Sequence, residues 1–242
     1  MRTFYGSALY EAVFAGKPIR FFRQALFYLL EWISCLRKGT CVGISAVTRT
    51  ALPLVSEIIP CGVPLNEFVA DAKRYSEPSV LFLGDLDSRK RGRLLLDSFP
   101  AVLARQPSAI LRVVGPQECA GAQVLYRGRL SRDELVKEYR GAWVYCCPSS
   151  YEGFGVPLVE AMACGAVVVA CDNAGVREII NHNYNGLVCD PQLLAETLVR
   201  ALGDSELRKR LAANGMSFVK RFAMESTAQK YRDLYRRIVG MS

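Results

Sequence analysis

The sequence predicts an α/β fold: a parallel sheet flanked by helices. From residue 78 onward, short apolar runs alternate with longer amphipathic stretches, the order that builds a parallel sheet through right-handed crossovers. Runs such as Val80-Leu-Phe-Leu83 and Val167-Val-Val-Ala170 are nearly continuous in apolar residues, as strands covered on both faces require. With 51% hydrophobic residues among 242, the chain has enough apolar surface for a substantial core.

Taken in order, residues 1–18 lack a basic stretch followed by an apolar run, so a cleaved signal peptide is not expected. Residues 19–36 are strongly apolar, but Arg20, Arg23, Gln24 and Glu31 interrupt them and argue against a membrane-spanning helix. Phe22, Ala25, Leu26, Leu29, Leu30 and Ile33 recur at helical spacing, which predicts an amphipathic helix. Cys41-Val-Gly-Ile-Ser45 reads as a short strand. The Pro- and Gly-containing stretch at residues 58–68 suits a domain boundary. Strands are expected at 79–84, 109–114, 123–127, 143–147, 166–170 and 186–189. Helices are expected near 91–105, 131–140, 156–164, 175–181, 191–202 and 204–221, and a last amphipathic helix at 225–238.

Charge and cysteine content narrow the function. The net charge is +8, but the basic residues are scattered, with the densest group at Ser88-Arg-Lys-Arg-Gly-Arg93. With no nucleic-acid-binding module and no interleaved aromatic pattern, a nucleic-acid partner is not expected. Nine cysteines occur without a single C-x-x-C pair, and His182 is the only histidine; a zinc site is therefore not expected. The thiols are expected to be reduced and mostly buried, as in a cytoplasmic protein. His182 sits in the polar turn Asn181-His-Asn-Tyr-Asn185 and is expected to be a surface or capping residue.

The chemistry concentrates at Tyr151-Glu-Gly-Phe-Gly-Val-Pro-Leu-Val-Glu160 and the following Ala-Met-Ala-Cys-Gly165. Trp143-Val-Tyr-Cys-Cys147 precedes it as a buried strand; Pro157 suits the first turn of a helix and Gly165 its end. Glu152 then lies on the loop leaving a strand, and Glu160 about one turn into a helix. In open α/β sheets ligands bind at such loops. Two carboxylates suit the gripping of hydroxyls, and the glycines let backbone amides approach a ligand. A second loop, Gly84-Asp-Leu-Asp-Ser-Arg-Lys-Arg91, sets cations near a helix start, a diphosphate-binding arrangement. The plainer alternatives are an exposed basic loop and, for Glu160, a first-turn glutamate favoured by the helix dipole.

The Glu152-to-Glu160 segment resembles the E-x7-E signature of retaining glycosyltransferases of family four, which have the GT-B fold. Val80-Leu-Phe-Leu-Gly84, Val113-Val-Gly115, Tyr126-Arg-Gly128, Gly175-Val-Arg-Glu-Ile-Ile180 and Asn185-Gly-Leu-Val188 fall in the family's order, and the resemblance covers roughly residues 55–240. It implies a Rossmann-like donor domain at 69–222, a remnant of the N-terminal half plus linker at 1–68, and a C-terminal helix at 223–242 that crosses back to the first half. A complete enzyme has two such halves, about 300 residues.

The resemblance also implies roles. Glu160 would bind the ribose hydroxyls and Glu152 the donor sugar, with Gly153, Phe154 and Gly155 offering backbone amides. Gly128, Arg129 and Leu130 would hold the base, and Gly84, Arg89 and Lys90 the diphosphate. Asp85 stands where the family has an arginine. Glu152 and Lys90 are the catalytic candidates, and Glu178 is expected to be structural, an ion-pair partner. No metal or other cofactor is implied. The activity implied is transfer of a hexose from a nucleotide-diphosphate sugar to a glycan or lipid-linked acceptor, with retention. The alternative is a donor-binding subunit or truncated remnant, inactive without a separate acceptor-binding partner. The expected location is cytoplasmic and peripheral on the inner face of the membrane, with residues 19–36 meeting the membrane or a protein partner.

Overall fold

The computed structural model describes residues 1–13, 18–71 and 73–240. Its first part is β1 (Arg2–Phe4), α1 (Ala8–Val13), α2 (Pro18–Leu36), β2 (Cys41–Gly43), α3 (Ala46–Ala51) and β3 (Glu57–Ile58). The strands form a small parallel sheet in the order β1-β2-β3. The amphipathic helix expected at 19–36 and the strand expected at 41–45 are both present. The other strands and helices here are two to six residues long, too short for periodicity to announce them.

The second part contains β4 (Ser79–Leu83), α4 (Gly92–Leu103), β5 (Ile110–Val114), β6 (Val124–Gly128), α5 (Arg132–Gly141), β7 (Val144–Cys147), α6 (Val156–Ala163), β8 (Val167–Cys171), α7 (Ala174–Ile179), β9 (Leu187–Cys189), α8 (Leu194–Gly203), α9 (Ser205–Val219) and α10 (Met224–Val239). Each expected strand and helix of this part is found. The six strands pair in parallel in the order β6-β5-β4-β7-β8-β9. The chain winds outward from β4 on one side and from β7 on the other, so the direction of winding reverses between them. Crevices at such a reversal are where open α/β sheets bind ligands.

Alternate residues of each central strand feed opposite faces. Leu81, Tyr145 and Val168 pack beneath α5 and α6 with Tyr139, Leu158 and Met162. Val80, Phe82, Val144 and Val169 pack beneath α4 and α8 with Leu95, Phe99 and Leu198. An ion pair enters this core. Arg112 of β5 donates to Glu138 of α5 at 2.6 Å, with Arg127 on the same carboxylate at 2.9 Å. The Tyr75 ring lies 3.9 Å from the Arg112 guanidinium. A buried ion needs such partners.

Several contacts tie the two parts of the chain together. Helix α10 crosses back onto the first sheet, where Leu234 is buried with Val42 and Ile59 and Arg237 pairs with Glu57 at 3.2 Å. The linker pairs with the chain before α10: Val63 N–H donates to Phe222 O at 2.8 Å and Met224 N–H to Val63 O at 3.0 Å. Glu178 of α7 accepts from the Ala46 and Val47 amides at the start of α3, at 3.0 and 2.9 Å. The sequence pointed to an ion pair for Glu178; its carboxylate instead takes orphan amides of a helix start, which an anion suits equally well. Among the described residues no helix is long and apolar enough to cross a membrane.

Replacing Glu178 with Ala removes both acceptors and is expected to cost about 1–2 kcal/mol, the range of a lost helix cap. Urea unfolding at pH 7 measures it, and a loss near zero would show that water replaces the carboxylate at the start of α3.

Candidate active site

The loops leaving β4 and β7 meet above the reversal point and are laced together. Ser150 N–H donates to Arg89 O at 2.9 Å, and the Arg91 Nε donates to Pro148 O at 2.7 Å. Arg91 has φ +50°, an unusual left-handed conformation for this residue, immediately before α4. These contacts bring Arg89 and Lys90 over Glu152. The Lys90 Nζ lies 2.6 Å from Glu152 Oε1 and the Arg89 guanidinium 3.4 Å from Oε2. The same guanidinium donates to Tyr151 O at 2.7 Å.

Glu152 is only 4% exposed. Burial pushes its carboxyl pKa up, but the charges of Lys90 and then Arg89 outweigh this and hold it below the usual carboxylate value. The group is therefore a buried anion whose charge is met by two cations. Cys147 Sγ also lies 3.5 Å from Oε1; burial, with the nearby Glu152 charge, pushes that thiol up to about 11. It stands as a neutral donor and not as a nucleophile.

Two glycines make this packing possible. Gly84 has φ +144°, and a Cβ there would sit 2.8 Å from the Lys90 Cγ, so the turn passes only because a hydrogen faces the lysine stem. At Gly175, the second residue of α7, a Cβ would overlap the Glu152 carbonyl oxygen. Gly175 belongs to the motif already noted in the sequence, and its close approach to Glu152 supplies the reason for a glycine there.

Helix α6 starts after Gly155, with Pro157 in its first turn, and Gly165 follows its end at φ +76°. Both boundaries match the expectation. Gly153 lies on the loop before it. The Phe154 ring is buried, 5.3 Å from that of Phe222, which leaves its backbone and not its side chain for a ligand. Glu160, one turn into α6, accepts from the Tyr139 hydroxyl at 3.0 Å. Burial raises its carboxyl pKa against the lowering effect of that hydrogen bond and of Arg132. Gly128 ends β6 at the sheet edge, and Arg129 and Leu130 follow it. There Arg129 is exposed, while Leu130 packs against the core beneath α5 and α6. Asp85, in the family's arginine position, is exposed beyond Gly84. His182 accepts from Val188 N–H through Nδ1 at 3.0 Å in an exposed turn, the structural place expected for it.

The first part of the chain also reaches the site, through residues the sequence did not single out. Glu11 of α1 pairs with the Arg89 Nε at 3.0 Å. Tyr10 stacks on Tyr151 with ring centroids 4.9 Å apart, and Gly6 stands against Gly153, where a Cβ would lie 3.6 Å from the Gly6 Cα. Between them opens a pocket of about 570 Å3 bordered by Gly6, Glu11, Phe27, Glu31, Arg89 and Gly153. Adjacency to the Glu152 motif was the only signal for Tyr151. Glu11 carried none, because its contact depends on how α1 folds over the second sheet. Among the described residues no group of three or more His, Cys, Asp and Glu side chains is placed to hold a metal ion.

Residues 66–218 match the family described as Glycosyl transferases group 1. The chain is 32% identical over 204 residues to a phosphatidyl-myo-inositol mannosyltransferase of Mycobacterium tuberculosis, covering 75% of this chain and 54% of that protein. It is 30% identical over 195 residues to a D-inositol 3-phosphate glycosyltransferase of Corynebacterium efficiens, covering 72% of this chain and 44% of that one. The chain thus spans about half the length of the curated relatives it matches. A sucrose-phosphate synthase structure from Thermosynechococcus elongatus superposes with a TM-score of 0.82 at 24% identity, over 99% of this chain and 68% of that one. That likeness speaks for the fold.

The charge account of Glu152 has a pH signature. Its pKa is lowered by folding, so the stabilisation it contributes is present above about pH 4.5, the ordinary value, and is lost as the pH falls through the folded one. Replacing Lys90 with Ala leaves Arg89 as the remaining cation and is expected to cost about 2–4 kcal/mol at pH 7. That loss should shrink as the pH is lowered towards 4, where the variant's carboxyl takes up a proton. Urea titrations at both pH values measure the two gaps; equal gaps would contradict the electrostatic account.

Proposed function

The chain belongs to the glycosyl transferases group 1 family, and on that premise we propose that it binds a nucleotide-diphosphate sugar in the crevice above Glu152 and transfers the hexose to a glycan or lipid-linked acceptor with retention of configuration. The observation that carries this reading is the convergence of Lys90 and Arg89 on the buried Glu152 at the reversal point of the sheet.

In this reading Arg89 and Lys90 turn to the donor diphosphate, aided by the amide-rich starts of α4 and α6. Glu160 accepts from the ribose hydroxyls, and the Gly128–Leu130 loop holds the base through its backbone. Glu152 stands beside the donor sugar, where a carboxylate favours the positive charge that develops as the bond between the anomeric carbon and the diphosphate breaks. The acceptor hydroxyl attacks from the same face, forms the new glycosidic bond and gives its proton to a diphosphate oxygen. The protein's main contribution is electrostatic, through groups already in place before the reaction. Protein cations meet the leaving charge, and the reading calls for no metal. An incoming diphosphate also competes with Glu11 for Arg89, so donor binding loosens one contact between the two parts of the chain.

Calorimetric titration with UDP, GDP and their hexose conjugates, followed by hydrolysis and transfer assays, tests the proposal. Turnover is expected to accompany binding; binding without turnover would favour the donor-binding-subunit alternative. Lack of nucleotide binding by both the unaltered chain and the Asp85→Arg variant would overturn the donor-site reading. Glu160→Ala is expected to weaken nucleotide binding at least tenfold, about 1.4 kcal/mol. Because the Glu160 pKa is raised above 4.5, affinity should fall as the pH drops through that raised value, and Glu160→Gln should flatten the profile.

A further inference from the structure

A second pocket, of about 460 Å3, opens at the end of the main sheet opposite Glu152. Trp143 and Val167, which border it, stand where β7 and β8 begin, whereas the candidate site stands where β7 ends. Every residue that borders it lies between Arg74 and Met216, within the second part of the chain. One wall is a face of α9 made by Arg208, Ala212 and Met216, which recur at the spacing of helical turns. Trp143, Gly165 and Val167 make the other wall.

Three helices end beside this pocket, and two arginines meet their last carbonyls, which lack partners within their own helices. Arg74 donates through Nη1 to Arg140 O and Ala142 O at the end of α5, and through Nη2 to Cys164 O and Gly165 O after α6. Arg208 donates through Nη1 to Ala201 O and Leu202 O at the end of α8. Its guanidinium lies 4.4 Å from the centre of the Trp143 ring. The two side chains are used to different extents. Both Nη groups of Arg74 are committed, but the Nε–Nη2 edge of Arg208 makes no hydrogen bond to the described residues. Every hydrogen bond of the two guanidinia goes to a backbone carbonyl, and neither has an ion-pair partner among the described residues. Burial lowers the Arg74 pKa, and the like charge of Arg208 adds to this. The nearby charges are already engaged: Lys209 pairs with Glu206 at 2.8 Å. Asp204, whose charge reaches Arg208, accepts from Leu207 N–H at 2.8 Å as the cap of α9.

We propose that this pocket binds a small carboxylate carried on an apolar body, with the carboxylate on the Nε–Nη2 edge of Arg208 and the body along Trp143, Ala212 and Met216. The two parallel N–H groups of that edge match the two oxygens of a carboxylate. Among the described residues that border the pocket there is no Asp or Glu, so an entering anion meets no like charge on its walls. The volume falls within the range of small-molecule sites, about 300–1,000 Å3. The inference uses none of the donor-site residues and stands apart from the transferase reading.

Nitrogen–proton NMR of the full chain tests it. The sequence has two tryptophans, Trp32 and Trp143, and replacing Trp32 with Phe assigns their indole signals. The Trp143 indole N–H donates to Tyr75 O at 2.8 Å, which fixes the reporter at the pocket wall. Titration with phenylacetate is expected to shift the Trp143 signal saturably and to leave that of Trp32 in place. Phenylacetamide, of the same shape without the charge, is expected to bind at least tenfold more weakly, the size of one charge-assisted hydrogen bond. Arg208→Gln is expected to lose a similar factor. Because Arg208 also caps α8, a second variant separates binding from folding. Ala213→Phe, at an exposed position on the pocket wall, is expected to abolish the shift with circular dichroism unchanged. The proposal is overturned if phenylacetate gives no saturable shift, if acid and amide bind equally, or if Ala213→Phe binds as well as the unaltered chain. Displacement of phenylacetate by an equal concentration of inorganic phosphate would also overturn it, assigning the site to phosphate. No arm contains a nucleotide, so the donor-site reading stands or falls separately.

Discussion

A carboxylate that is almost wholly buried has to be met by positive charge, and Glu152 organises this protein around that requirement. Lys90 and Arg89 come from the loop after β4, whereas Glu152 comes from the loop after β7. The two loops can meet only because β4 and β7 are neighbours at the point where the strand order reverses. The backbone bonds from Ser150 to Arg89 O and from Arg91 to Pro148 O then set their relative height. Gly84 yields space to the lysine stem and Gly175 to the Glu152 carbonyl. Much of the local sequence can be understood as what is needed to set one anion between two cations without leaving it solvated.

One of these cations, Arg89, also helps to bind the first part of the chain to the second. Glu11 reaches Arg89 from α1, Glu178 reaches the start of α3 from α7, and α10 lays Leu234 against Val42 and Ile59. These contacts differ in kind. The apolar contact of α10 is insensitive to ligand, whereas the Glu11–Arg89 pair sits where an anionic ligand would compete for the guanidinium. The small sheet is thus anchored at its far side by packing and held at the site by charge, an arrangement in which a ligand can alter one attachment and leave the other in place.

Helix α2 shows what cannot be judged from periodicity alone. Its apolar residues recur so often that the sequence describes a helix greasy around most of its circumference. Which face packs inward was settled by Tyr28, Trp32 and Cys35 meeting β1, β2 and α3, and the remaining stripe faces outward. Its position also puts Phe27 and Leu30 on the rim of the pocket beside the candidate site, so an exposed apolar surface and the crevice beside Arg89 adjoin.

The strands from β4 to β9, the helices between them and the carboxylate pair on α6 and its preceding loop were legible in the sequence. Buried strands must be apolar runs, helices must repeat at 3.6 residues, and the starts and stops of α6 require residues such as Pro157 and Gly165. Those are local constraints, and local sequence carries them. The tertiary structure alone decided that Glu178 caps α3 and does not join an ion pair, that Glu11 holds Arg89, that Arg112 is buried against Glu138, and that one face of α2 is left open. Each of these depends on residues from separate parts of the chain arriving within about 3–4 Å of one another. Coulomb and hydrogen-bond partners are chosen by that arrival, and no spacing along the chain encodes it.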